Sequence, residues 1–407
     1  MKILLLCKKF PYPLKDGEAI AVNQLSKSLT ENGCEVTLLA MNTSRHHYKS
    51  KSNLLPKELS HFKEIHSVDV DNKITTWGAL KNLFSAESYH ISRFVSDEFS
   101  KKLIEILSNN QFDIIQLETL YLAPYLKIIK DNSDATVVMR AHNIEHEIWH
   151  RISDQIKFIP KKIYLSYLAK KLKRFEIEKL NEYDFLVAIT ERDLEMFKSL
   201  GYKNGCLATP VGFDLKEYQP EYSAFNKDLN LSFIGSLDWM PNIEGLRWFL
   251  NETWPVLHNR FPNLKFHFAG RNAPKDLANI QMPGVTFYDS VSDSKEFMLG
   301  HQILIVPIFA GSGIRVKILE AMALGRVVIT SSIGLEGIPA KHLEQVILAN
   351  TVEDYIQIIQ MCYDGKINLL RLGQSARNFV LNNFDSSKLA VKLLNAYQKV
   401  IDSPSHI

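Results

Sequence analysis

The densest run of chemistry-bearing residues is Phe309–Gly325, FAGSGIRVKILEAMALG. A glycine turn, Gly311-Ser312-Gly313, leads into a helical pattern over Ile314–Leu324. Glycine lets backbone amides come close to a ligand. A helix N-terminus adds unpaired N–H groups and partial positive charge, so the turn can hold an anion on Ser312, Gly313 and Ile314. Arg315 and Lys317 put full cations at the same end, against the helix dipole. A local rule broken this way points to function, and a diphosphate suits both charges. Glu320, three residues after Lys317, shares its face and can accept hydrogen bonds from ribose hydroxyls. The competing reading is an ordinary glycine turn into a core helix with solvated charges. Spacing alone weighs the two about equally.

Other candidates stand further upstream. Asp16-Gly17 precedes the helical pattern Ala19–Leu29, where Gly17 either lets the loop approach a ligand or makes a simple turn. His142-Asn143 follows the apolar run Ala135–Arg140, and His142 there can hydrogen-bond a sugar hydroxyl or a phosphate near neutral pH. Glu118 holds the equivalent place after Phe112–Leu117. His142 and His146 are four residues apart, but HNIEH is not the HExxH of a metal site.

The elements that must position these groups are short apolar runs alternating with helical patterns. The candidate strands are Lys2–Cys7, Glu35–Ala40, Phe112–Leu117, Ala135–Arg140 and Phe185–Ile189. A second series follows at Leu231–Gly235, Leu264–Ala269, Val285–Tyr288, Gln302–Pro307 and Arg326–Thr330. Little polar alternation within them marks parallel strands covered on both faces. Thr209–Asn226 has no sustained apolar period and reads as a linker, which predicts two Rossmann-like α/β domains at residues 1–212 and 213–384. Leu381–Ile401 is helical and amphipathic, and a C-terminal helix over about 385–407 is expected to pack back on the first domain. Ligands of such sheets bind at the carboxyl ends of the strands, where the candidates above fall.

Composition narrows the class. With 407 residues, 46% hydrophobic and 23% charged, the chain reads as soluble and globular. A net charge of +3 is too mild to argue for nucleic acid. Cys7, Cys34, Cys206 and Cys362 lack metal-ligand spacing and fit a reducing compartment, so a cytoplasmic location is expected. The apolar run Ile3–Cys7 is too short for a signal peptide. Residues 160–180 are helical and basic. They either pack an apolar face inward, the favoured reading, or lie on an anionic membrane as a peripheral contact, on the inner face of the plasma membrane.

The ordered motifs PYPLKDGEAIAVNQLSKSL, RAHNIEHEIWHR, GSLDWMPNIEGLRWF, HFAGRNAP and VPIFAGSGIRVKILEAMALG resemble the family 4 retaining glycosyltransferases. That resemblance implies the GT-B fold, with two Rossmann-like domains whose parallel sheets face a central cleft. It implies a nucleoside-diphosphate sugar, UDP- or GDP-linked, as donor and a glycan or lipid-linked molecule as acceptor. No cofactor or metal would be needed. By the resemblance, Arg315, Lys317 and His142 are catalytic. Gly17, Arg271, Ser312, Gly313, Ile314 and Glu320 hold the donor, and Asp16, Glu118 and Asn143 lie on the acceptor side. Two departures stand out. Ser312 replaces the first glutamate of the family's pair, and Ser236 and Asn242 stand near where a diphosphate-holding arginine and lysine are usual. Arg271, Arg315 and Lys317 are the cations left to supply that charge. The function implied is sugar transfer in cell-surface polysaccharide or glycolipid synthesis. A sugar-nucleotide epimerase and a non-catalytic sugar-nucleotide-binding protein are the alternatives.

Overall fold

The computed structural model describes residues 1–14, 17–44, 47–48, 56–75, 82, 85, 87–156, 158–310 and 314–402. Asp16, Ser312 and Gly313 lie outside the described residues. The chain divides into two compact units: Met1–Phe213 with Ser386–Ile407, and Asp214–Asp385.

The first unit is built on strands β1 (Lys2–Cys7), β2 (Glu35–Thr43), β3 (Glu64–Val70), β4 (Ile114–Leu117), β5 (Thr136–Ala141), β6 (Phe185–Ala188) and β7 (Gly205–Ala208). They form one sheet in the order β3-β2-β1-β4-β5-β6-β7. Every pairing is parallel. Alternation along β1 sends Leu4 and Leu6 into the core on one face and Ile3 and Leu5 into the core on the other. The helices are α1 (Gly17–Glu31), α2 (Asp97–Asn109), α3 (Glu145–Gln155), α4 (Ile159–Lys179) and α5 (Glu191–Ser199). Strand order reverses between β1 and β4, which makes their carboxyl ends the switch point where ligands of open α/β sheets bind.

The second unit repeats the plan. Strands β8 (Asn230–Ile234), β9 (Lys265–Ala269), β10 (Val285–Tyr288), β11 (Ile303–Val306), β12 (Val327–Thr330) and β13 (Ile347–Leu348) run in the order β10-β9-β8-β11-β12-β13, all parallel. Helices α6 (Met240–Trp248), α7 (Val316–Ala323), α8 (Val352–Tyr363) and α9 (Leu369–Asn383) complete it. The switch point here lies between β8 and β11. Gly245 in α6 is where the helix crosses Pro307, and a Cβ there would collide with the Pro307 carbonyl oxygen.

Three expectations are corrected. The helix expected over Ile314–Leu324 spans Val316–Ala323, so Arg315 is its N-cap residue and not part of its first turn. The continuous helix expected over Leu381–Ile401 is broken at Phe384, whose φ of −131° and ψ of 14° stop α9. The chain then returns to the first unit as α10 (Ser386–Asp402). There Ala390, Leu393 and Tyr397 enter the core that also holds Leu5 and Val22. Finally, the first series of expected strands lacks β3. It is an edge strand, EIHSVDV, with most of its side chains part-exposed, so no apolar run announces it. Among the described residues, no helix is long and apolar enough to cross a membrane.

Candidate functional site

In the second unit, the start of α7 lies beside the segment that follows β8. Lys317 sits in the first turn of α7, and its Nζ donates to Asn242 Oδ1 at 2.8 Å. Asn242 is itself held by its Nδ2, which donates to the Ser236 carbonyl at 2.9 Å. The ammonium also lies 4.7 Å from the centre of the Phe233 ring. Gly235 makes this placement possible, because a Cβ at that position would stand 2.6 Å from Lys317 Nζ. Burial pushes the Lys317 ammonium down to about 7, with the like charge of Arg315 adding to the effect and Glu320 opposing it. Arg315 is only 5% exposed.

Glu320, one helical turn further on, accepts from the Tyr218 hydroxyl at 3.0 Å. Burial raises its carboxyl, and the Tyr218 hydrogen bond, Lys295 and Lys317 only partly offset this. Lys295 rests 4.4 Å from the Tyr218 ring and 3.3 Å from Glu217 Oε2. Lys317 and Glu320 therefore meet neutral hydrogen-bonding groups, Asn242 and Tyr218, at the carboxyl end of the β8–β11 switch point. Ile314 precedes this site and is partly buried. Arg271 follows β9 and is exposed, with its carbonyl accepting from Leu237 N at 3.0 Å. The turn after β12 braces the same end. Ser331 Oγ donates to the Ile308 carbonyl and accepts from Gly334 N at 2.9 Å.

In the first unit, Glu118 follows β4 and is fully buried. Its Oε2 accepts from Arg140 Nη1 at 3.0 Å and from His142 Nε2 at 2.8 Å. Its Oε1 accepts from Gln116 Nε2, and Gln116 Oε1 in turn accepts from the hydroxyl of Tyr397 on α10. Burial alone would raise the Glu118 carboxyl. The Arg140 charge and the His142 and Gln116 hydrogen bonds outweigh that and hold it at about 2. An ionised Glu118 only accepts, so His142 Nε2 carries the proton in this hydrogen bond. Asn143, next in the chain, is partly buried.

His146 turns elsewhere. Its Nδ1 is 2.6 Å from Glu176 Oε2, so the two histidines that share metal-like spacing face different carboxylates. Glu176 also accepts from the backbone N–H groups of Glu145 and His146, at 3.2 and 3.3 Å, and so caps the start of α3. Gly17 opens α1 at an exposed position, with no described atom within 4 Å of where a side chain would begin. Beside it, Glu18 lies 3.4 Å from Lys8 and 3.5 Å from Lys9.

The structure thus joins Lys317 with Asn242, Glu320 with Tyr218, and His142 with Glu118. Tyr218 belongs to a stretch with no periodicity and left no trace in the sequence. Arg140 and Gln116 did leave one: each is a polar residue inside an otherwise apolar strand, TVVMRA and IIQL.

These features define a class of fold. Residues 228–364 match the family described as "Glycosyl transferases group 1". The whole chain is similar in structure to sucrose-phosphate synthase from Thermosynechococcus elongatus, with a TM-score of 0.67 and 15% identity over 98% of this chain and 99% of that one. It is similar to Anabaena HepE in complex with UDP, with a TM-score of 0.66 and 14% identity over 98% and 100%. The fold is therefore that of the GT-B glycosyltransferases, with two parallel-sheet α/β units. In sequence, the chain is 25% identical to an "uncharacterized 44.6 kDa protein in cps region" of Klebsiella pneumoniae, over 95% of this chain and 97% of that protein.

Proposed function

We propose that the protein is a retaining glycosyltransferase of family 4 type. It would move a hexose from a UDP- or GDP-sugar to a glycan or lipid-linked acceptor in cell-surface polysaccharide or glycolipid synthesis. The observation that carries this reading is the pairing of Lys317 with Asn242, one turn before Glu320 with Tyr218, at the switch point of the second unit. A diphosphate on Lys317 and Arg315 would return the Lys317 ammonium to full charge. Glu320 would accept from the ribose hydroxyls. The HepE structures hold UDP and UDP-glucose, which favours UDP, and the Klebsiella relative's cps region favours polysaccharide synthesis.

In the reaction, the bond from the anomeric carbon to the diphosphate breaks as the acceptor oxygen bonds to the same face of that carbon. The acceptor's hydroxyl proton passes to the departing phosphate oxygen. Arg315, Lys317 and the α7 amides stabilise the charge that builds on the diphosphate. Ser312, Gly313, Gly17 and Arg271 are assigned to the donor. His142 Nδ1 meets the transferred sugar, while Asp16 and Asn143 serve the acceptor. Glu118 acts through His142, which it orients. These cations take the place of a metal ion, and no cofactor is required.

A peripheral membrane contact is part of the reading. Phe158, Ile159 and Ile163 are 66%, 68% and 64% exposed at the start of α4, beside the exposed Lys161. An apolar cluster with lysines suits an anionic lipid surface. The inner face of the plasma membrane is the location proposed.

Thermal denaturation against a panel of UDP- and GDP-sugars, with and without EDTA, tests the donor assignment, because a ligand of the folded state raises Tm. No shift with any donor removes it. Turnover of the donor without an acceptor would favour an epimerase. Binding with no transfer across an acceptor panel would favour a binding protein.

A further inference from the structure

The hydroxyl that meets Glu320 belongs to a residue outside the strands and the long helices, so its position must come from contacts. Tyr218 follows a single short turn, Leu215–Glu217, and is 9% exposed. Its N–H donates to the Leu215 carbonyl at 3.3 Å. Lys295 rests 4.4 Å from the centre of its ring. Its carbonyl accepts from Arg377 Nη1 at 2.5 Å, a bond that spans 159 positions and ties the segment to α9.

Arg377 reaches this point because α9 crosses the end of α7 closely. The turn that ends α7 has Gly325 at a φ of 72°, and a Cβ at Gly373 of α9 would stand 2.2 Å from the Gly325 carbonyl oxygen. Arg377 lies one helical turn after Gly373 and so shares its face. Its Nη1 carries two hydrogens. Besides Tyr218 it donates to the carbonyl of Ala323, the last residue of α7, where carbonyls have no partner within the helix. One guanidinium thus holds two things. The first is the end of the helix that carries Glu320, and the second is the backbone of the residue whose hydroxyl donates to Glu320 Oε1 at 3.0 Å.

We propose that Arg377 is a positioning residue for donor binding: it sets Tyr218 so that the hydroxyl occupies Glu320 Oε1 and Oε2 serves the nucleotide ribose. The ribose part rests on the glycosyltransferase reading. The chain from Arg377 through Tyr218 to Glu320 rests on geometry alone. A hydroxyl that donates to the carboxylate favours its ionised form, the form that accepts from ribose hydroxyls. Burial works the other way and raises the Glu320 carboxyl, while Lys295 and Lys317 act in the same sense as Tyr218. Losing or displacing the Tyr218 hydroxyl therefore moves Glu320 toward its neutral form.

The test follows Glu320 in the full chain without ligand. Carbon NMR of protein labelled at the glutamate carboxyls gives its titration, assigned by the signal lost in E320Q. In Tyr218→Phe the titration is expected at higher pH than in the parent. Arg377→Gln should move it in the same direction, and Y218F/R377Q no further than Y218F alone, because both changes break one chain. Arg377→Lys, which keeps a cation, should recover part of the shift, and it carries the comparison if Arg377→Gln does not fold. UDP-glucose affinity, measured by calorimetry, should weaken by about 3–10-fold in Tyr218→Phe and in Arg377→Gln, as for the loss of one hydrogen bond. An Arg377 variant that lowers Tm but leaves the Glu320 titration in place overturns the inference. So does a double variant whose shift is the sum of the two single shifts. Should the parent bind no UDP-glucose, the donor reading falls, while the ligand-free titrations still decide whether Arg377 acts on Glu320 through Tyr218.

Discussion

Two charged clusters sit at equivalent switch points, and they are finished to different degrees. Around Glu118 the charge is answered from within: Arg140, His142 and Gln116 take up both carboxylate oxygens. Around Lys317 and Glu320 the hydrogen-bonding partners are the neutral side chains of Asn242 and Tyr218. The shifts follow that difference. Glu118 is held near 2, below the ordinary carboxylate range, whereas Lys317 and Glu320 are each pushed toward their neutral forms. The first cluster is built to hold a side chain still. The second, in the function proposed above, receives charge from a ligand.

The sharpest way to break this contrast is Glu118→Ala. It leaves Arg140 buried beside an empty place, and a loss of about 3–5 kcal/mol of stability is expected, read by urea unfolding. Affinity for UDP alone should stay unchanged, and a stable variant would refute the structural role. Lys317→Ala should do the reverse. UDP release from UDP-glucose is expected to fall by about 10²–10³-fold, the cost of removing one preorganised charge, with little change in Tm. Glu320→Ala should weaken UDP affinity by about 10–100-fold through lost charge-assisted hydrogen bonds, measured by calorimetry.

The pH dependences should also differ in direction. Lys317 titrates near 7 in the free protein, so it is charged below that pH and must gain a proton to bind above it. UDP-glucose affinity should therefore fall by up to about tenfold per pH unit above 7, and Lys317→Arg should flatten the profile. Glu118 has a lowered folded-state value. Its contribution to stability is present above the ordinary carboxylate range and is lost as pH falls toward 2. An affinity profile that is flat in the parent protein would show that Lys317 does not meet the diphosphate.

Central strands were the legible part of the fold. β1 and β11 are buried and apolar on both faces, β4 departs from this only at Gln116, and the boundaries of all three agree with the sequence reading to within two residues. The edge strand β3 lies outside the expected strands for the matching reason, since one side of it lacks a neighbouring strand and polar residues are tolerated there, whereas β7, GCLA, is only four residues long and too short to form a clear apolar run. At the site, the residues on α7 were readable because cations at a helix start violate a local rule. Their partners were not. Tyr218 and Asn242 lie 102 and 75 positions from the groups they bind, a distance no periodicity spans.

The return of α10 to the first unit has a temporal consequence. Tyr397 closes the hydrogen-bond chain through Gln116 to Glu118, and Leu393 and Ala390 fill the core beside Leu5. A ribosome emits β1 through β7 first, yet that half lacks its last core residues until the whole second half has been made. The N-terminal unit begins first and is completed last. A nascent chain stalled before residue 386 would carry a contiguous second half and a first half with an exposed apolar groove along α1.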